Sequence, residues 1–144
     1  MTDNLERAKK ILCEGGCTLA IVRDEDVFTS TDRGVKPLID LLDSGKLKGG
    51  FCAADKVVGK AAAFLYVLLG AEHVYAHVIS KPAFETFDNY GITAEYGTLT
   101  EAIKNRTNTG FCPMETAVMD INEPSEALEA IRKKLVEMKS TNQL

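Results

Sequence analysis

The stretch Ala61-Ala62-Ala63-Phe64-Leu65-Tyr66-Val67-Leu68-Leu69 constrains this chain more than any other. Together with Lys56–Lys60 it predicts a helix over 56–69 in which, beyond the first turn, nearly every position is apolar. A helix with no polar stripe must be enclosed by other elements. Gly70 ends it, and Val74 to Ser80 then reads as a strand. A buried helix that runs into a strand calls for a layered fold in which a sheet and further helices share one core.

The remaining segments fit that demand. Leu5, Ala8, Ile11 and Leu12 recur at helical spacing, and Gly15-Gly16 closes this first helix. Thr18–Arg23 and Val27–Ser30 are β-rich runs on either side of an Asp-Glu-Asp turn, which is a hairpin signal. Pro37 to Leu42 supports a short helix, and Ser44-Gly45-Lys46 and Gly49-Gly50 are turns. A brief extended piece, Phe51–Ala54, leads to Asp55. After the strand ending at Ser80 come a helix from Pro82 to about Asn89, a turn at Asn89-Tyr90-Gly91 and a short strand at Thr93–Tyr96. Another short helix is expected from Leu99 to Lys104. Pro124-Ser125-Glu126 opens a last helix, with Leu128, Ile131, Leu135 and Met138 on one stripe. Alternating strands and helices opened by an antiparallel hairpin give an α/β fold with a mixed sheet.

With 144 residues, one domain and one core are expected. Hydrophobic content of 45% and charged content of 26% are ordinary for a soluble protein, and no apolar run reaches the roughly 18 residues of a membrane span. The first residues lack a basic segment followed by an apolar one, so a cytoplasmic protein without a secretory signal is expected. A net charge of −4 speaks against nucleic acid as a partner. Arg132-Lys133-Lys134 is the nearest approach to a basic patch, and the surrounding Glu126, Glu129 and Glu137 make it a solvated face. Cys13, Cys17, Cys52 and Cys112 contain no CxxC pair and are read as free thiols. His73 and His77 lie on the strand and are about 13 Å apart along it, too far to share one ion. No metal site and no cofactor is expected.

One loop has the composition of a site. Asn105-Arg106-Thr107-Asn108-Thr109-Gly110-Phe111 leads to Cys112-Pro113-Met114-Glu115. Pro113 suits a first helical position, and Glu115 stands three residues after Cys112 as in a capping box. Free N–H groups at a helix start favour an anion, a thiolate included. A neighbouring Glu115 opposes that effect, while Arg106 would assist it or grip an anionic ligand. Asn105 is read as a loop-capping or ligand-contacting amide.

Ala54-Asp55-Lys56-Val57-Val58-Gly59-Lys60-Ala61-Ala62-Ala63, the turn Ser80-Lys81-Pro82-Ala83 and the segment from Asn105-Arg106 to Cys112-Pro113-Met114-Glu115 together resemble an uncharacterised prokaryotic family within the cytidine-deaminase-like superfamily. The resemblance spans roughly residues 5 to 120. It implies a three-layer α/β/α architecture: a single domain over 1–144 with a C-terminal helical extension from about residue 99. Zinc deaminases of that superfamily begin the buried helix with a His or Cys ligand, an Ala and a Glu, and the next helix with Pro-Cys-x-x-Cys. Here those places read Ala53-Ala54-Asp55 and Pro82-Ala83-Phe84-Glu85. The ligands are absent, and Cys112-Pro113 comes too late and in reversed order to replace them.

In such an architecture the helices that follow Asp55 and Ser80 begin at one sheet edge, where their N-termini favour a phosphate or carboxylate. Asp55 is read as a helix cap or a catalytic carboxylate. Lys56 and Lys60, one helical turn apart, would project toward the ligand, and Gly59 would allow close approach. Ser80 and Lys81 would complete the binding side chains. Three functions stay open. The first is a metal-independent domain for a nucleoside-like or other small anionic ligand. The second is a hydrolase or transferase with Cys112 as nucleophile. The third is a non-catalytic interaction protein. A homo-oligomer is compatible with each.

Overall fold

A computed structural model describes residues 2–32, 34–47, 49–103 and 112–140. Helix α1 (Thr2–Glu14) is followed by the hairpin strands β1 (Leu19–Arg23) and β2 (Asp26–Ser30), helix α2 (Lys36–Ser44) and strand β3 (Phe51–Val58). Helix α3 (Lys60–Leu69), strand β4 (Ala71–Ser80), helix α4 (Lys81–Asn89) and strand β5 (Thr93–Thr100) form the second half of the sheet. Helices α5 (Pro113–Val118) and α6 (Pro124–Ser140) complete the chain. The sheet order is β2-β1-β3-β4-β5. β1 is antiparallel to both β2 and β3, whereas β3, β4 and β5 are parallel. The result is the mixed sheet expected from the hairpin and the alternation that follows it.

Two apolar layers hold helices to this sheet. On one face Ala8 and Leu12 of α1 pack on Ala20, Val22 and Ala54. On the other, α3 lies at the centre of the main core with Phe51, Ala53, Val74, Ala76 and Ile79 beneath it, and Phe87 of α4 and Ile131 of α6 also belong to that core. Ala61–Tyr66 and Leu69 are all buried, as the apolar run demands, whereas Val67 is partly buried and Leu68 is exposed. The small Ala61, Ala62 and Ala63 allow neighbours to approach this helix closely. The molecule is thus a three-layer α/β/α structure.

Three boundaries differ from the sequence reading. β3 continues through Asp55, Lys56, Val57 and Val58, and α3 begins only at Lys60. The β-branched pair Val57-Val58 extends the strand, where it pairs with Val78 and Ile79 of β4. β5 likewise runs to Thr100, because ladder pairing with β4 continues through Thr98, Leu99 and Thr100. The helix expected from Leu99 is therefore absent over 99–103. The hairpin turn is shorter than read: Asp24 and Glu25 form it, and Asp26 already belongs to β2.

α4 starts as expected. Ser80, fully buried, has extended backbone at φ −84° and ψ 155°, and its side chain accepts a hydrogen bond from the Ala83 N–H at 3.2 Å. Pro82 fits the first turn because it has no N–H to satisfy. Replacing Ser80 by Ala leaves the Ala83 N–H without this partner. Urea unfolding of Ser80→Ala is expected to show a loss of about 1 kcal/mol with an unchanged denaturant slope.

Candidate functional site

The carboxyl ends of the three parallel strands bring most of the candidate residues to one edge. Val58 stands beside Ile79, and Ser80 beside Thr100, so the starts of α3 and α4 are neighbours. The side chains there form three separate groups.

The first group closes the start of α3. Gly59 is the N-cap and offers no side chain to the free N–H groups. Glu115, from α5, supplies the missing acceptor. Its Oε1 accepts from the Lys60 N–H at 2.7 Å and its Oε2 from the Ala61 N–H at 3.0 Å. The reverse contact runs from the Lys60 ammonium, whose Nζ donates to the Met119 carbonyl at 3.0 Å and lies 5.7 Å from the Phe64 ring centroid. α3 and α5 thus terminate each other. Burial raises the proton affinity of Glu115, while the two N–H groups and the Lys60 charge oppose that rise.

This arrangement corrects several expectations. Glu115 does not form a capping box with Cys112; the Cys112 N–H donates instead to the Ile103 carbonyl at 3.0 Å. Lys56 and Lys60 are not one helical turn apart, because Lys56 lies on β3 and is exposed. Asp55 is not an N-cap but a strand residue. Gly59 does allow a close approach, and what approaches is Glu115: a methyl group on Gly59 would stand 2.4 Å from the Glu115 Cδ. At φ −101° the backbone itself would accept any residue.

The second group is the pair Asp55 and Tyr66. Asp55 is half-buried on β3, and Tyr66 is fully buried on α3 with its ring 6.2 Å from that of Phe87. The Tyr66 hydroxyl donates to Asp55 Oδ2 at 2.7 Å. Burial pushes the Asp55 carboxyl up to about 7, against the opposing effects of the Tyr66 hydroxyl and the Val57 and Lys56 N–H groups. The Tyr66 phenol is raised as well, by its own burial and then by the Asp55 charge. Sequence reasoning missed Tyr66. A single hydroxyl in a helix otherwise apolar was the available signal, since a buried Tyr generally finds a partner for its O–H.

The third group lies at the start of α4. Ser80 caps that helix, and the exposed Lys81 pairs with Glu101 at 2.5 Å, which raises the proton affinity of the lysine. Cys112 caps α5 without a side-chain hydrogen bond, and its half-buried side chain packs against the apolar core. Asn105 and Arg106 lie outside the described residues. Among those described, no hydrogen bond or ion pair joins Asp55 to Ser80 or Cys112. Nor do three His, Cys, Asp or Glu side chains gather there in a way that could hold a metal ion. No helix there is long and apolar enough to cross a membrane.

Mixed sheet, hairpin opening and helices on both faces define an α/β domain with its polar groups at the carboxyl edge of the parallel strands. Residues 7–135 match the family profile described as TM1506, a domain of unknown function (DUF1893), and the chain belongs to that family. It is similar to the crystal structure of a DUF1893 family protein, TM1506, from Thermotoga maritima. The two are 30% identical with a TM-score of 0.83, over 95% of this chain and 91% of that one. No curated protein matches the sequence.

Two outcomes are expected from this geometry. Glu115→Ala leaves two helix N–H groups without their acceptor and should cost about 1–3 kcal/mol. Gly59→Ala should cost a similar amount by displacing the same carboxylate, so the double variant should be scarcely worse than either single one. Additive losses in a double-mutant cycle would contradict the shared cause. The second outcome concerns pH. An unfolded Asp55 ionises near 3.8 and the folded one near 7, so between these values the folded state holds a proton that the unfolded state lacks. Its contribution is complete below 3.8 and is lost as pH rises through 7. Asp55→Asn should therefore gain stability relative to the parent as pH rises from 5 to 8, measured by urea unfolding at each pH.

Proposed function

We propose that this protein is a zinc-independent small-molecule-binding domain of the cytidine-deaminase-like superfamily, and that its ligand is nucleoside-like with a planar amide edge. The observation that carries the reading is the Asp55–Tyr66 pair: a half-buried carboxyl that gains a proton near pH 7, held by a buried phenol three residues before the carboxyl end of a central strand. In open α/β sheets ligands bind outside the carboxyl ends of the strands. A carboxyl that is protonated for part of the time can accept from a ring N–H and donate to a ring carbonyl, which is the pattern of a nucleobase edge.

The sheet order β2-β1-β3-β4-β5, with an antiparallel hairpin and three parallel strands, supports the superfamily kinship. The zinc of that superfamily does not fit these residues. Gly59, Lys60 and Ala61 stand at the start of α3, and Lys81, Pro82 and Ala83 open α4, so neither start offers an imidazole or a thiolate. A strongly charged ligand is disfavoured for a different reason. The α3 start already holds the Glu115 carboxylate, and Lys81 is engaged by Glu101. What remains for recognition is the neutral, hydrogen-bonding character of Asp55.

Titration of the labelled protein with free nucleobases and nucleosides, followed by amide chemical shifts, tests the reading. Shifts are expected at Asp55, Tyr66 and their neighbours for at least one of the compounds, and both Asp55→Asn and Tyr66→Phe should weaken them. Binding that survives unchanged in both variants, or a panel that leaves these amides unmoved, would overturn it.

A further inference from the structure

Among the described residues β5 leaves one edge of the sheet open, and this edge differs from the opposite one. β2 has five residues, includes Asp26 and follows the acidic Asp24-Glu25 turn, features that discourage pairing with another strand. β5 has eight residues, three of them Thr, with no Lys and no Pro, and it is largely exposed. On the α4 side of this edge Phe84 and Tyr96 stack edge to face with ring centroids 5.8 Å apart, 38% and 42% exposed respectively. A groove of about 350 Å³ opens between α4 and β5, with Phe84, Phe87, Ile92 and Ala94 among its walls. Leu99 adds a further exposed apolar side chain.

From this edge we infer that the protein forms a two-fold dimer in which β5 pairs antiparallel with β5 of a second copy, joining two five-stranded sheets into one of ten. Charge favours an identical partner. Glu95 is paired with Lys9, and Lys81 with Glu101, so two copies can approach without facing rows of free like charge. Asp88, exposed at the groove, lies at the opposite end of α4 from Lys81. An antiparallel arrangement keeps the two Asp88 carboxylates apart, at opposite ends of the joined sheet. A two-fold axis near Tyr96 brings the two Phe84–Tyr96 pairs together. The area is sufficient: eight strand residues span about 27 Å, and sheet plus helix layer give a strip about 20 Å deep. With its relief such a strip reaches the roughly 600 Å² per partner at the lower end of stable interfaces.

Sedimentation equilibrium of the full chain over a micromolar concentration series tests this. The parent should have twice the mass of the chain. Tyr96→Lys and, separately, Thr98→Lys should reduce it to the monomer mass with an unchanged far-ultraviolet circular dichroism spectrum, whereas Val27→Lys on β2 should leave the dimer intact. Should one β5 variant fail to fold, the other decides. A parent that is monomeric throughout the series overturns the inference, as does a dimer that persists in the β5 variants that fold.

Discussion

The start of α3 is the point on which the rest of this structure depends. With Gly59, Ala61 and Ala62 buried, this helix start cannot turn its free N–H groups to water, and a glycine cap offers them nothing. The Glu115 carboxylate fills the gap from a separate helix, 55 residues later in the chain. That single contact fixes the start of α3 and holds α5 against it. It also explains a glycine at position 59 on spatial grounds, where backbone torsion gives no reason for one.

The same contact determines what the edge has to offer. Two adjacent helix starts would ordinarily form an attractive anion site. In this chain one of them is closed by its own carboxylate, and Ser80 occupies part of the other. The polar chemistry left is the Asp55–Tyr66 pair, set back from the edge, one strand residue and one helix residue tied together by a hydrogen bond. Its properties come from enclosure. A carboxyl denied full solvation keeps its proton to higher pH, and a phenol beneath it limits the rise by donating to the charged form.

Much of the fold was legible because its signals are local. The period of the apolar positions marks α1 and α6, the unbroken apolar run marks α3, the Asp-Glu-Asp segment marks the β1–β2 hairpin, and Ser80-Lys81-Pro82 marks the start of α4. The α3 boundary was not, because Asp55 resembles a cap and only the strand pairing of Val57 and Val58 with β4 shows otherwise. Long-range partners left no trace in the sequence. Nothing near Gly59 names Glu115, and nothing near Arg132 names Asp43, although its guanidinium bridges α6 to α2 with contacts of 2.7 and 3.3 Å. Of the candidate site residues, Gly59, Lys60 and Glu115 come together for a structural purpose. Asp55 gains its partner from Tyr66, a residue that reads in sequence as core.

We propose that the chemistry of this site resides in a carboxyl poised near neutrality. It is tested most directly by carbon-detected NMR of the Asp55 side chain across a pH series, in the parent and in Tyr66→Phe. The midpoint should lie near 7 in the parent, and higher when the phenol that favours the charged form is removed. A parent midpoint near 3.8, or a midpoint that falls in Tyr66→Phe, would contradict it.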